Sequence, residues 1–206
     1  MFLLSDYKGD FMNIGVDFDG VVFDTESVFR VLSQIENFKI GGKVLDLELL
    51  RFQDRYNWTT EQLERFADKY VLDVHKTAQV MPYAREVLNA LRKKHKVYAI
   101  TSRGLILDKE IAVTNERLKK DGLEFEKVVY CSDKLQACKD LKIDLMIDDL
   151  WNTVFKLCEN GVKCLYYRDN ISNQFSHPNA TVVRDWGEVA VELVKMGLID
   201  IEDLQI

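Results

Sequence analysis

Short runs of consecutive apolar residues alternate along this chain with longer stretches whose apolar positions recur at helical spacing. The runs at 13–18, 96–101, 127–130, 144–147, 163–166 and 181–183 predict six short buried strands. Between them, helical periodicity is expected from Pro82-Tyr83 onward, with Val87, Leu88 and Leu91 on one face, and over 107–120, 150–160 and 186–196. Strands that are apolar throughout and alternate with helices imply a parallel sheet covered on both faces. The expected fold class is therefore α/β, a doubly wound, Rossmann-like parallel sheet.

The stretch from Asp24 to Met81 interrupts that alternation. It carries three helical patterns, at 26–37, 46–56 and 60–76, separated by Gly41-Gly42 and by the turn Asn57-Trp58-Thr59. An all-helical cap over 25–81 is expected, inserted into a core made of 13–24 and 82–206. Placed directly after the first strand, it would overhang the carboxyl ends of the strands, where open α/β sheets hold ligands.

Composition narrows the function. With 206 residues, 47% hydrophobic and 30% charged, the chain can sustain a core without disulfides or a structural metal. Cys131, Cys138, Cys158 and Cys164 have no C-x-x-C spacing and lie in apolar patterns, so they read as core side chains in a reducing, cytoplasmic compartment. The net charge of −6 opposes binding of a nucleic-acid polymer, while small phosphorylated ligands stay admissible. No apolar run is long enough to span a bilayer, and Met1-Phe2-Leu3-Leu4 lacks the basic flank of a secretory signal. Residues 1–12 receive no role.

Candidate chemistry collects at strand ends. The first strand runs into Asp17-Phe18-Asp19-Gly20, two carboxylates two residues apart, with a glycine that permits a sharp turn. Converging carboxylates repel unless a cation or shared proton intervenes, although capping acids would look the same in isolation. The second strand ends in Thr101-Ser102-Arg103, whose hydroxyls and backbone N–H groups suit phosphate oxygens or, equally, a helix cap; Arg103 reads as a surface charge. Lys134 alone would be a solvated side chain. Asp148-Asp149, after an apolar strand, gain nothing from packing and read as a hard-cation site.

In the order D-x-D-G-V, Thr/Ser, Lys, Asp-Asp, with a helical insert after the first motif, the sequence resembles the haloacid dehalogenase superfamily of phosphohydrolases over about residues 13–186. Within it, Ala99-Ile100-Thr101-Ser102-Arg103 and Asp144-Leu145-Met146-Ile147-Asp148-Asp149 are most similar to the 5′(3′)-deoxyribonucleotidase branch and its bacterial relatives. The resemblance implies Asp17 as nucleophile forming an aspartyl-phosphate, and Asp19 as the acid and then base. It implies Mg²⁺ held by Asp17, the Asp19 backbone carbonyl and Asp148, with Asp149 a fourth acid behind these ligands. Thr101, Ser102 and Lys134 would bind the phosphoryl oxygens. Asp19 favours phosphoryl transfer over dehalogenation, because a dehalogenase has no alkoxide to protonate. Many members carry a further aspartate four residues after the position of Asp148, where this chain has Asn152.

The expected activity is hydrolysis of a small phosphomonoester, with a nucleoside monophosphate as substrate and Trp58 as the cap aromatic facing it. A sugar phosphomutase or phosphoglycolate-type phosphatase is the alternative, since the stretch from Asp17 to Glu26 opens that branch equally well. A catalytically silent phosphate-binding module is the non-enzyme alternative. A receiver domain would need a different motif order.

Overall fold

The computed structural model describes residues 11–105, 109–167 and 176–204. Its six strands, β1 (Asn13–Val16), β2 (Lys96–Thr101), β3 (Lys127–Tyr130), β4 (Leu145–Asp148), β5 (Lys163–Tyr167) and β6 (Ala180–Val183), form one sheet in the order β3-β2-β1-β4-β5-β6. Every pairing is parallel. The helices are α1 (Thr25–Ile40), α2 (Phe52–Arg55), α3 (Thr60–Thr77), α4 (Ala84–Arg92), α5 (Lys109–Asp121), α6 (Lys134–Leu141), α7 (Trp151–Glu159) and α8 (Trp186–Lys195). The expected α/β class with a parallel sheet is what the structure has.

Strand periodicity sorts the core into two layers. Ile14, Val16, Val97, Ala99, Leu145, Ile147 and Leu165 point to one face and pack with α4 and α8. Their alternate neighbours Tyr98, Ile100, Met146, Cys164 and Tyr166 point to the other, toward α6 and α7. Cys138, Cys158 and Cys164 are buried in that second layer and Cys131 is partly exposed. On β1, Gly15 faces this layer, where a Cβ would stand 2.6 Å from the Met146 sulfur, so the Met146 side chain packs over β1 in the space that the missing side chain leaves.

β1 stops at Val16, two residues before the apolar run does, because the chain turns back on itself. The Phe18 carbonyl accepts the amides of Val22 and Phe23 at 2.9 and 2.8 Å. The two crossings to the helical insert then lie side by side: Asp24 N donates to the Gln79 carbonyl and Met81 N to the Val22 carbonyl, both at 2.8 Å. Between the crossings, Phe52, Tyr56, Trp58 and Phe66 form a separate aromatic core.

Two expectations on helices need correction. The pattern over 46–56 yields only the four-residue α2, because Asp46 Oδ1 caps the amide of Glu48 in a turn and the buried Arg55 guanidinium takes up the free carbonyls of Leu49 and Leu50. Conversely, α6 went unrecognised: its eight residues are too few for a clear periodic signal, although Asp133 caps it by accepting Gln136 N. The expected start of α5 at 107 lies outside the described residues. No helix among the described residues is long and apolar enough to cross a membrane.

Candidate active site

The chain winds outward from β1 through β2 to β3, then crosses back to β4 on the other side of β1 and winds the opposite way, so a crevice opens at the carboxyl ends of β2, β1 and β4. Asp17 follows the last residue of β1, Thr101 ends β2 and Asp148 ends β4. A cavity of about 590 Å³ lies above them, walled on the core side by Asp17, Asp19, Ser102, Arg103, Lys134 and Asp149. The insert supplies the facing wall, including Phe29, Phe52 and His75.

Asp17, Asp148 and Asp149 each bring a carboxylate oxygen to within 4.8 Å of the others, all three buried. Asp149, expected behind the direct ligands, thus belongs to the same group as the other two. Lys134 Nζ stands 2.8 Å from Asp17 Oδ2 and 2.7 Å from Asp148 Oδ2. The second Asp148 oxygen accepts Leu150 N at 2.9 Å. One ammonium therefore faces three acids. Burial, with the charges of Asp148 and Asp19 adding to it, raises Asp17 to about 7 despite Lys134. Burial and the neighbouring Asp17 and Asp148 hold Asp149 well above the usual carboxylate range. Burial works against the Lys134 charge, yet Asp148 and Asp17 outweigh it and keep the ammonium protonated. An all-carboxylate donor set short of positive charge fits a hard divalent cation.

Asp19 lies apart from this group. Its carboxylate receives Arg103 Nη2 at 2.7 Å and Nε at 3.0 and 3.2 Å, and His75 Nε2 stands 3.7 Å away. Burial alone would raise Asp19; the Arg103 charge, with His75, reverses this and holds it at about 2. Arg103 is no surface residue. It is 2% exposed, stacks over the Phe23 ring at 4.9 Å and donates to Thr114 Oγ1 at 3.3 Å, so its guanidinium is fixed on all sides.

Of the two hydroxyls expected at phosphate, Ser102 lines the cavity. Thr101 is fully buried, and its Oγ1 accepts Arg103 N at 3.2 Å, which secures the turn. Trp58 does not face the cavity: it is buried, its indole N–H donates to Asn37 Oδ1 at 2.8 Å, and it stacks on Tyr56. The aromatics that do line the cavity are Phe29 and Phe52.

His75 and Glu110 line the cavity without having been recognised in the sequence. Glu110 accepts Gly104 N and bridges β2's turn to α5. A signal for His75 existed, since Glu64, Asp68, Val71 and His75 recur at spacings of four, three and four, one face of α3. The His75 ring is buried, which drives its pKa down to about 4 although Asp19 opposes this.

No protein-family model matches the chain. The nucleotidase CA_C3379 of Clostridium acetobutylicum is 22% identical over 185 residues, covering 86% of this chain and 91% of the relative. Among solved structures, the haloacid dehalogenase-like hydrolase SP0104 of Streptococcus pneumoniae superposes with a TM-score of 0.66 at 15% identity, over 88% of this chain and 98% of that one. The β-phosphoglucomutase of Clostridium difficile gives 0.61 at 15% identity, over 92% and 97%.

Proposed function

We propose that this chain, an enzyme with the fold of the haloacid dehalogenase-like hydrolases, is a Mg²⁺-dependent phosphomonoesterase that works through an aspartyl-phosphate and acts on a nucleoside monophosphate. The observation that carries this reading is the cluster of Asp17, Asp148 and Asp149 around Lys134 at the junction of β1, β2 and β4. Asp17, Asp148, Asp149 and the Asp19 carbonyl would hold the ion. When bound, Mg²⁺ supplies the positive charge that lets several carboxylates approach a phosphate dianion.

Asp17 attacks phosphorus as the bond to the ester oxygen breaks, and Asp19 gives that oxygen a proton. Asp19 then takes a proton from the water that attacks the aspartyl-phosphate, which frees inorganic phosphate and restores Asp17. Lys134, released from Asp148, and Ser102 are the groups able to neutralise and orient the phosphoryl oxygens. Thr101 contributes by holding the turn that presents Ser102 and Arg103.

The nucleoside part of the reading rests on two supports, the nucleotidase named above and the aromatic wall of Phe29 and Phe52. A base stacked on such a ring gains about 1–3 kcal/mol. A panel of phosphomonoesters assayed with Mg²⁺ and with EDTA tests both parts. Activity is expected only with the metal, with a nucleoside monophosphate exceeding glycolate and hexose phosphates in kcat/KM by roughly tenfold or more. A tenfold preference in the other direction would overturn the substrate, and undiminished activity in EDTA would overturn the metal.

Gly20 gives a second check on the cation site. Its φ is +79°, and a Cβ there would fall 2.0 Å from Asp149 Oδ2. Gly20→Ala is expected to cost about 1–2 kcal/mol in backbone strain and to push Asp149 away. Mg²⁺ affinity measured by calorimetry should weaken by roughly tenfold or more, the scale seen when a ligand's support is disturbed. An unchanged affinity would remove Asp149 from the site.

A further inference from the structure

Glu64 and Asp68 line the active-site cavity from the insert, one turn apart on α3. Leu63, Ala67, Val71 and His75 of the same helix line it too, so apolar and acidic positions adjoin along one wall. The other charged groups that the insert brings to the cavity are matched. Glu26 receives Arg55 and, at 2.9 Å, Arg30, while Arg51 stands 3.9 Å from Asp54. Glu64 and Asp68 have neither a hydrogen bond nor an ion pair among the described residues, and the adjacent cations are engaged elsewhere, Arg65 with Glu61 and Lys69 with Glu36. Like charges at i and i+4 destabilise a helix, so the fold gains nothing from this pair. His75 is 5% exposed, and its Nδ1 has no hydrogen-bond partner among the described residues. The wall thus presents to the cavity polar atoms that the protein itself leaves unmatched.

Their place along α3 decides what they can meet. The C-terminal end of α3 is tied to the core: His75 Nε2 stands 3.7 Å from Asp19 Oδ1, and Arg117 donates to the carbonyls of Lys76 and Ala78. At a rise of 1.5 Å per residue, Asp68 and Glu64 stand about 10 and 16 Å from His75 along the helix axis. They face the end of the cavity remote from Asp19.

We propose that Glu64 and Asp68 read the base of the nucleoside monophosphate and select guanine, an inference that rests on the phosphomonoesterase reading above. With the phosphate beside Asp17, the base is the part of the substrate that reaches this wall. Phe29 and Phe52 can take its face while the acids take its edge. Carboxylates only accept hydrogen bonds, and they bind best where N–H donors stand side by side. Among the common bases only guanine offers adjacent donors, N1–H and N2–H, on one edge. Adenine and cytosine set a ring-nitrogen acceptor beside their amino group, and the N3–H of uracil lies between carbonyls, so each would turn an acceptor toward the acids. The same charges repel a second phosphate, such as a sugar bisphosphate would bring.

Calorimetric binding of guanosine and uridine monophosphates tests this, measured on Asp17→Asn, which removes a carboxylate facing the phosphate and does not consume the ligand. Guanosine monophosphate should bind at least about tenfold tighter, the scale of a bidentate contact to a base edge. Adding Glu64→Gln and Asp68→Asn together should bring that preference below about threefold, through weaker binding of the guanine nucleotide. Each alone should lower it in part. Glu61→Gln, on α3 but paired with Arg65 and absent from the cavity wall, should leave it intact. The doubly substituted protein should melt no lower than its parent, since a like-charged pair is relieved, so that a lost preference is not lost folding. Equal binding of the nucleotides, a preference for uridine, or a guanine preference that survives the double substitution would overturn the proposal. Because selectivity is read as binding, a wild-type chain that turns over no phosphomonoester would count against the phosphatase reading alone.

Discussion

Asp17→Asn is expected to abolish phosphomonoester turnover, by at least about 10³-fold, and at the same time to stabilise the metal-free protein. The first effect follows from removing the nucleophile. The second follows from the sign of its pKa. Folding raises Asp17 to about 7 from 3.8, with burial as the first cause, so its favourable contribution exists while the group is protonated. That contribution is complete below pH 3.8 and is lost as pH rises through about 7. Asparagine mimics the neutral form at every pH. At pH 8 in EDTA the variant should therefore be more stable by roughly 2–4 kcal/mol, a rise in Tm of several degrees. At pH 4 the two proteins should converge. Mg²⁺ should close the gap from the other side, stabilising wild type at pH 8 and leaving the variant nearly unchanged. Wild-type turnover in Asp17→Asn would remove it as nucleophile; a variant less stable than wild type in EDTA at pH 8 would remove the charge argument.

The sheet was legible because its strands are apolar on both faces, and such runs stand out against amphipathic helices. Asn13–Val16 and Lys96–Thr101 carry that signal over nearly their whole length. The acids were legible for a related reason: Asp148 and Asp149 interrupt a run that otherwise packs the core, and burying them without partners is costly. What stayed hidden depends on contacts remote in sequence. Nothing near Arg103 foretells that Phe18, Phe23, Thr114 and Asp19 surround it, since these come from the first loop and from α5. Trp58 misled because a turn suggests exposure, whereas Asn37, on α1, satisfies its N–H and lets the ring bury. His75 sits at the far end of α3, and its place beside Asp19 depends on how the insert docks. Part of that docking is carried by Arg117 of α5, which donates to the carbonyls of Lys76 and Ala78 just beyond His75.

The other large effect concerns Asp19, and its signature is dependence on the leaving group. Arg103 holds Asp19 at about 2, hence as an anion, so the proton that Asp19 passes to the leaving oxygen comes from the monoanion of the phosphomonoester, whose second ionisation lies at about pH 6. A poor leaving group such as an alkoxide needs the proton; a nitrophenolate does not. Asp19→Asn should therefore lower turnover of a nucleoside monophosphate by about 10²–10⁴-fold. With p-nitrophenyl phosphate the first step should survive, so one equivalent of nitrophenolate appears rapidly and is followed by a slow steady state, because water attack on the phosphorylated Asp17 still lacks its base. Arg103→Ala should fall between the two, since Asp19 remains but loses the three hydrogen bonds that orient it. Rapid-quench kinetics decides the matter. A burst in Asp19→Asn shows the two half-reactions separating as argued, while equal slowing of alkyl and nitrophenyl substrates, with no burst, would mean that Asp19 serves only to shape the site.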